Sequence, residues 1–195
     1  MVDIAGRKDL READLKGADL RGTDFQGANL EKANLIGSNL SEANFKGANL
    51  KRADLFEANL EKANLEKAHL TWADLRWANF EAAYLERAHL EGARLEGANL
   101  ERADLREANL IGSNLIEANL KGANLEKANL KGANLERANL EGANLKEAFL
   151  GEAYGLSPDQ LYKVKTLHDA KLDEKLLASL KEKYPDLFRK HESRE

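Results

Sequence analysis

The chain has no cysteine, one methionine and two prolines in 195 residues. Without cysteine there is no disulfide framework, no thiolate zinc site and no cysteine nucleophile. No apolar run approaches the ~18 residues that a membrane helix needs. The segment Met1–Leu10 carries Asp3, Arg7, Lys8 and Asp9, so it lacks the apolar core of a signal peptide. Charge of one sign is scarce as well: the net charge is −4, which gives no strong bulk pull toward nucleic acid or membrane. The expected location is the cytoplasm, with no membrane partner and no direct nucleic-acid binding.

What is present is a repeat of period five. Every fifth residue from Leu10 to Leu150 is Leu, or Phe at Phe25, Phe45 and Phe80. From Ala13 onward the residue two places earlier is Ala, replaced by Thr23, Ser38 and Ser113; in the first unit that place holds Lys8. Asn or Asp mostly lies between, giving units such as Ala28-Asn29-Leu30-Glu31-Lys32. A helix advances 100° per residue, so Leu at every fifth place would spiral around it and form no face. Strand alternation fails too, because five is odd. Three extended residues followed by a two-residue corner satisfy the pattern, with Ala and Leu inward and Asn or Asp outward. Four corners close a square coil of 20 residues, and coils stack at about 4.8 Å like neighbouring strands. Eleven of the 14 glycines occupy the second corner position, where a type II turn needs positive φ. The corners that carry other residues are expected to use a turn without positive φ.

On these residues the chain resembles the pentapeptide-repeat proteins over about residues 9–154. The resemblance implies an all-β solenoid, a right-handed quadrilateral β-helix of about seven coils, ending in a helical cap as in many members. The expected organisation is a lead-in at 1–8, the β-helix at 9–154, a helical C-terminal cap at 155–188 and a disordered tail at 189–195. In the cap, Ser157-Pro158-Asp159-Gln160 marks a helix start running to about Lys165. Ala170-Lys171-Leu172 resembles one last repeat strand. Asp173 can cap a second helix over about Glu174–Lys183, which Pro185 ends. The N-terminal end is expected to leave an open sheet edge.

Stacking at 20 residues turns the sequence into outward ladders, and the Asn/Asp ladders are expected to bond to backbone and to each other. His69 and His89 are neighbours in one ladder, but a metal site needs three or four ligands and no carboxylate lies in that ladder's adjacent rungs. Asp54 and Asp74 are neighbours in another, with Arg94 next and expected to neutralise Asp74. His168 and His191 are isolated. No phosphate-binding loop, nucleophile elbow or HExxH motif is present. The chain is therefore expected to be non-enzymatic, with no catalytic residues, cofactor or metal.

Two binding readings remain. The resemblance includes quinolone-resistance proteins that mimic DNA and bind DNA gyrase, a type II topoisomerase, through strongly acidic rods. Here Glu61, Glu81 and Glu101 form a partly acidic corner ladder beside Glu66 and Glu86, but Arg21, Lys121, Arg87, Arg102 and Arg106 interrupt it. A mixed surface steers a DNA-binding partner poorly. The preferred reading is a non-catalytic structural or protein-binding solenoid. Six corner positions carry large apolar residues, Ile36, Phe56, Trp72, Trp77, Ile111 and Ile116. They form the candidate contact surface for a protein partner or a second copy, and a homodimer would form through this face or through an end of the rod.

Overall fold

The computed structural model describes residues 8–185; the lead-in before Lys8 and the tail at 189–195 lie outside the described residues. The chain winds a right-handed quadrilateral β-helix in which each ladder residue pairs in parallel with the residue 20 positions on. Four faces result. Face I runs through Asp9, Asn29 and Asn49, face II through Asp14, Asn34 and Asp54, face III through Asp19, Asn39 and Asn59, and face IV through Asp24, Asn44 and Asn64.

A regular five-residue unit within the rod satisfies all of its own backbone donors. In Ala28–Lys32, the Ala28 N–H closes the turn on the Phe25 carbonyl. The Asn29 N–H donates down to Lys8, and those of Leu30 and Lys32 donate up to Asn49 and Lys51. The remaining donor, the first corner N–H of Glu31, goes to the Asn29 side-chain oxygen at 3.2 Å. Asn or Asp is favoured outward because a short side chain with a carbonyl or carboxylate oxygen reaches its own backbone two residues on.

The corners correct one expectation. Every second corner position from Glu12 to Glu152 has positive φ, between 52° and 68°, whether it holds Gly or Lys, Glu, Arg, Trp or Ala. The left-handed conformation costs about 1 kcal/mol or more for a residue with a Cβ. It persists because its N–H is held by the first corner carbonyl of the next coil, as Glu12 is by Glu31 at 2.9 Å. The ladder, not the residue type, sets the turn.

Inside, Leu and Phe of the register are buried throughout, and Ala joins them from Ala28 on. Phe25 and Phe45 stack with ring centroids 4.8 Å apart. The two serines that enter the core close on the turn carbonyl three residues back, Ser38 on Leu35 and Ser113 on Leu110.

Two helices cap the upper end, α1 at Pro158–Tyr162 and α2 at Glu174–Lys183. Ser157 and Gln160 form the capping box read from the sequence. Gln160 does more: its amide nitrogen donates to the Ala138 carbonyl and to that of Leu135, which also accepts the turn bond from the Ala138 N–H. Helix α1 stops at Tyr162 rather than near Lys165, because the chain rejoins the ladder. The Lys163 carbonyl accepts from Gly142, the Lys165 N–H donates to Ala143, and Thr166 bridges Asn144. The last strand falls where expected, with Lys171 paired to Phe149. Asp173 precedes α2 but does not cap it with its side chain. Its carboxylate instead accepts the Glu152 N–H, standing in for the carbonyl of a further coil. Gly155 lets the chain leave the rod, since a Cβ there would lie 2.6 Å from the Glu136 nitrogen. Leu161 and Leu180 close the core, and Tyr162 stacks on Tyr184. Among the described residues no helix is long and apolar enough to cross a membrane.

This inside–outside assignment is tested by two charge changes. Leu75→Lys buries an unpaired charge in mid-rod and should unfold or split the array, a loss of several kcal/mol. Glu81→Lys, at a corner, should change stability by about 0.5 kcal/mol or less. Thermal melts followed by circular dichroism compare them, and equal losses would contradict the assignment.

Candidate functional site

The outward ladders are largely structural. On face III, Asn59, Asn79, Asn99, Asn119 and Asn139 each donate a side-chain N–H to the Asn oxygen one coil below, a continuous polar zipper starting at Asn39. On face II the Asn34 amide donates to Asp14, whose carboxylate also takes the Lys16 N–H, so the lower member need only accept.

Four of the six exceptions cluster in mid-rod, and the other two, Phe149 and Tyr154, lie beneath the cap. His69, Tyr84, His89 and Arg94 stand where the pattern calls for Asn or Asp. The His69 and His89 rings are parallel, with centroids 4.6 Å apart and planes 1° apart. Their in-plane lone pairs therefore do not converge, and stacking replaces chelation. The structure does add a carboxylate that the ladder reading missed: Glu91, from the adjoining corner, lies 3.4 Å from His89 Nδ1 and also binds Asn109 and Thr71. Among the described residues no three His, Asp or Glu groups are placed to hold a metal. The His69 ring is held below the ordinary histidine range by desolvation first, then by the charges of His89 and Lys51, with Glu91 opposing.

Asp54 and Asp74 do not act as a pair. Asp74 takes Arg94 at 3.0 Å, as the ladder predicts, and Arg76 at 2.6 Å, which the ladder reading did not name. Burial alone would raise the Asp74 carboxyl, but the Arg76 hydrogen bonds and the Arg94 charge bring it below the usual range. The signal was present as Asp-Leu-Arg, which also pairs Asp9 with Arg11, Asp19 with Arg21 and Asp104 with Arg106. The partly acidic corner is broken up in the same way. Glu61 meets Lys62, Glu66 meets Lys46 and Lys67, Glu86 meets Arg106, and Glu101 lies near Arg102.

The six apolar corner residues flank face II on both sides. Trp72 is 64% exposed and Trp77 56%, Ile111 is exposed, and Ile36, Phe56 and Ile116 are half-buried. Each indole lies over the glycine one coil above. A Cβ on Gly92 would sit 2.5 Å from the Trp72 ring, and one on Gly97 2.4 Å from the Trp77 ring. The sequence holds this pairing as Trp and Gly 20 residues apart. Arg76 lies over the Phe56 ring at 5.3 Å, so the apolar corner and the Asp74 cluster adjoin. Tyr154, 59% exposed, ends the face II ladder.

Comparison with known proteins agrees with this architecture. A family model of pentapeptide repeats matches in eight copies over segments running from residue 9 to residue 154. The chain is similar to HetL, a pentapeptide repeat protein involved in heterocyst differentiation regulation from the cyanobacterium Nostoc sp. strain PCC 7120. Identity is 28%, the match covers 86% of this chain and 90% of that one, and the TM-score is 0.61. A trypsin-treated form of QnrB1, a plasmid-mediated fluoroquinolone resistance protein, shares the fold at 24% identity, over 87% of this chain and 82% of that one, with a TM-score of 0.60. No curated protein matches the chain.

Two measurements probe these contacts. Unfolded, a histidine takes up its proton near 6.5, whereas folded His69 resists protonation to lower pH. Protonation therefore favours the unfolded chain, and the stability present above that pH is lost as pH falls below it. The melting midpoint should drop between about pH 7 and pH 5, and His69→Asn should shrink the drop while restoring an acceptor for the Thr71 N–H. Separately, Gly97→Ala should evict the Trp77 indole and shift tryptophan emission. Gly112→Ala, with open space at its Cβ, should add only backbone strain of about 1 kcal/mol and leave emission unchanged.

Proposed function

The chain belongs to the pentapeptide-repeat family, and from that premise we propose that it is a non-catalytic protein-binding rod whose working surface is face II with its two flanking corners. One observation carries the reading: both tryptophans of the chain are more than half exposed on successive corners of one coil, in a rod whose other corners are mostly charged or glycine. Trp is favoured as an interface anchor, because it offers a large rigid apolar area at little entropic cost. Ile36, Phe56, Ile111 and Ile116 extend the surface along the rod. A chain without cysteine folds without an oxidising compartment, and we assign it to the cytoplasm on that ground.

DNA mimicry, with a type II topoisomerase as partner, is the alternative. The charges weigh against it. Pairs between coils, such as Arg87 with Glu107, Lys121 with Glu141 and Arg137 with Glu117, alternate the sign along the corners. DNA offers an unbroken line of negative charge, about one per 1.7 Å of axis.

The expected outcome is that Trp72→Ala/Trp77→Ala leaves the melt unchanged and weakens association with the partner by roughly 1–4 kcal/mol. Pull-down from extract of the native cells, paired with thermal melts, measures both. The two tryptophans are the chain's only ones, so their emission reports directly on whether this face is covered. Unchanged capture by the double variant would overturn the reading, and inhibition of gyrase supercoiling by the wild type would favour mimicry.

A further inference from the structure

Coils four and five of the rod are complementary at three stations across face II. Coil four presents Trp72 on one edge, Asp74 in the centre and Arg76 on the other edge; coil five presents Gly92, Arg94 and Glu96 at the same stations. Asp74 holds both arginines, and Arg94 lies 3.7 Å from Glu96, so the four charges form a neutral cluster. The pattern extends outward. The edge carrying Trp72 is bulky below, with Lys32, Arg52 and Trp72, whose indole covers Gly92, and bare above at Gly112 and Gly132. Such a face fits an inverted copy of itself.

We infer that the protein self-associates as an antiparallel, side-by-side dimer through face II, with the two-fold axis in the interface between coils four and five. The inference rests on face II being the binding surface and names a second copy as its occupant. The axis lays coil four of one copy on coil five of the other. Asp74 faces the partner's Arg94, and Arg76 faces the partner's Glu96. Lys32, Arg52 and Trp72 face the partner's Gly132, Gly112 and Gly92. The Trp72 indole leans over Gly92, at the height of the axis, so the two indoles meet there. One rung out, Phe56 meets the partner's Ile116, and Asp54 meets the amide of the partner's Asn114. At the far rim Asp14 meets the partner's Tyr154. Trp77 and Ile111 lie on the far sides of their corners, and Ile36 meets the partner's Glu136, so these three take no part.

Three neighbouring arrangements set like charges against each other, and an axis between coils five and six, which sets none, gives up both Asp74–Arg94 pairs. A two-fold along the rod places Asp74 on the partner's Asp74 and Arg94 on the partner's Arg94. An antiparallel axis through coil four opposes Asp74 and Arg76 each to itself, and one between coils three and four sets Asp54 against the partner's Asp74. Like-charge juxtaposition of this kind suppresses wrong pairings. The inferred axis brings together only Glu12 with the partner's Glu152 and Glu57 with the partner's Glu117, near the rim. Of these, Glu12, Glu152 and Glu117 already hold Lys32, Lys131 and Arg137. A face about 10 Å wide and about 35 Å long buries on the order of 700 Å² over both copies before its edges are counted, so the dimer is weak and concentration-dependent.

The absence of cysteine makes the register testable. Packed sheets stand ~10 Å apart, within reach of a short bismaleimide, whereas two copies of residue 54 are displaced by a further three rungs, about 14 Å. A mixture of Asp54→Cys and Asn114→Cys chains should cross-link about tenfold more than either chain alone, and more than Asn64→Cys with Asn124→Cys on the opposite face. Arg94→Glu in both chains, which sets Glu against the partner's Asp74, should lower the mixed product about tenfold; it also breaks the Arg94–Asp74 pair within each chain, so the cross-linking is compared well below the variant's own melting midpoint. Cross-linking of Asp54→Cys alone equal to that of the mixture would mean a parallel dimer and overturn the inference. So would wild-type chain that stays monomeric in sedimentation velocity at every concentration, a readout free of any variant. Absent cross-linking with Trp-dependent capture of another protein would overturn the dimer alone. Intact cross-linking with Trp-independent capture would remove the wider binding reading and leave the dimer.

Discussion

At most corners the square cross-section is closed by one short contact, the hydrogen bond from the first corner N–H to the Asn or Asp oxygen two residues before it. Every other backbone donor of the unit has a partner in the turn or in a neighbouring coil. The first corner N–H alone has none. The side-chain oxygen of Asn29, Asn49 or Asp54 supplies the acceptor from inside the unit, so the corner leaves no backbone donor open. With corners fixed, three extended residues place Ala and Leu on the same side, and the core follows.

That contact also explains how far the sequence could be read. The period of five, the inward Leu and Ala, and the stacking of Phe25 on Phe45 follow from spacing alone, because nothing non-local competes with them. The corner conformation at Lys32 or Trp72 could not be read from residue type, because its positive φ is held by a carbonyl 19 residues away. The same holds at the cap. Ser157 and Gln160 are a local signal and were legible, whereas the end of α1 was set by Lys165 and Thr166 rejoining the rod. Asp173 had the sequence of a helix cap, but a corner N–H across the top coil took its carboxylate. At the candidate site, the six apolar corners were legible as exceptions. The glycines beneath the indoles, and Glu91 beside His89, came from combining adjacent ladders rather than following one.

The exceptions carry functional weight because they give up structural bonds. His69, Tyr84, His89 and Arg94 have no carboxamide or carboxylate oxygen for the corner N–H that follows them. Each forgoes a contact worth about 1 kcal/mol in a rod whose stability is nearly additive along its length. All four lie in coils four and five, with Trp72 and Trp77 between them. Apart from Phe149 and Tyr154 beneath the cap, the local inconsistency is concentrated in one place, the pattern expected where selection acts on something other than folding.

Periodicity itself sharpens this argument. A rod that repeats every coil offers a partner the same face at every rung, so a regular surface pairs in many registers with nearly equal energy, as flat strands do. Specific recognition needs a break in the repeat, and the break must be asymmetric along the axis to fix direction as well as position. Asp74 followed by Arg94, and Trp72 followed by Gly92, reverse charge and size across one step of the coil. A regular Asn ladder such as that of face III has neither reversal, so it can stiffen the rod without competing as a docking register. Face II couples an invariant core to a single marked position, and the marking costs the fold only the few corner bonds that coils four and five relinquish.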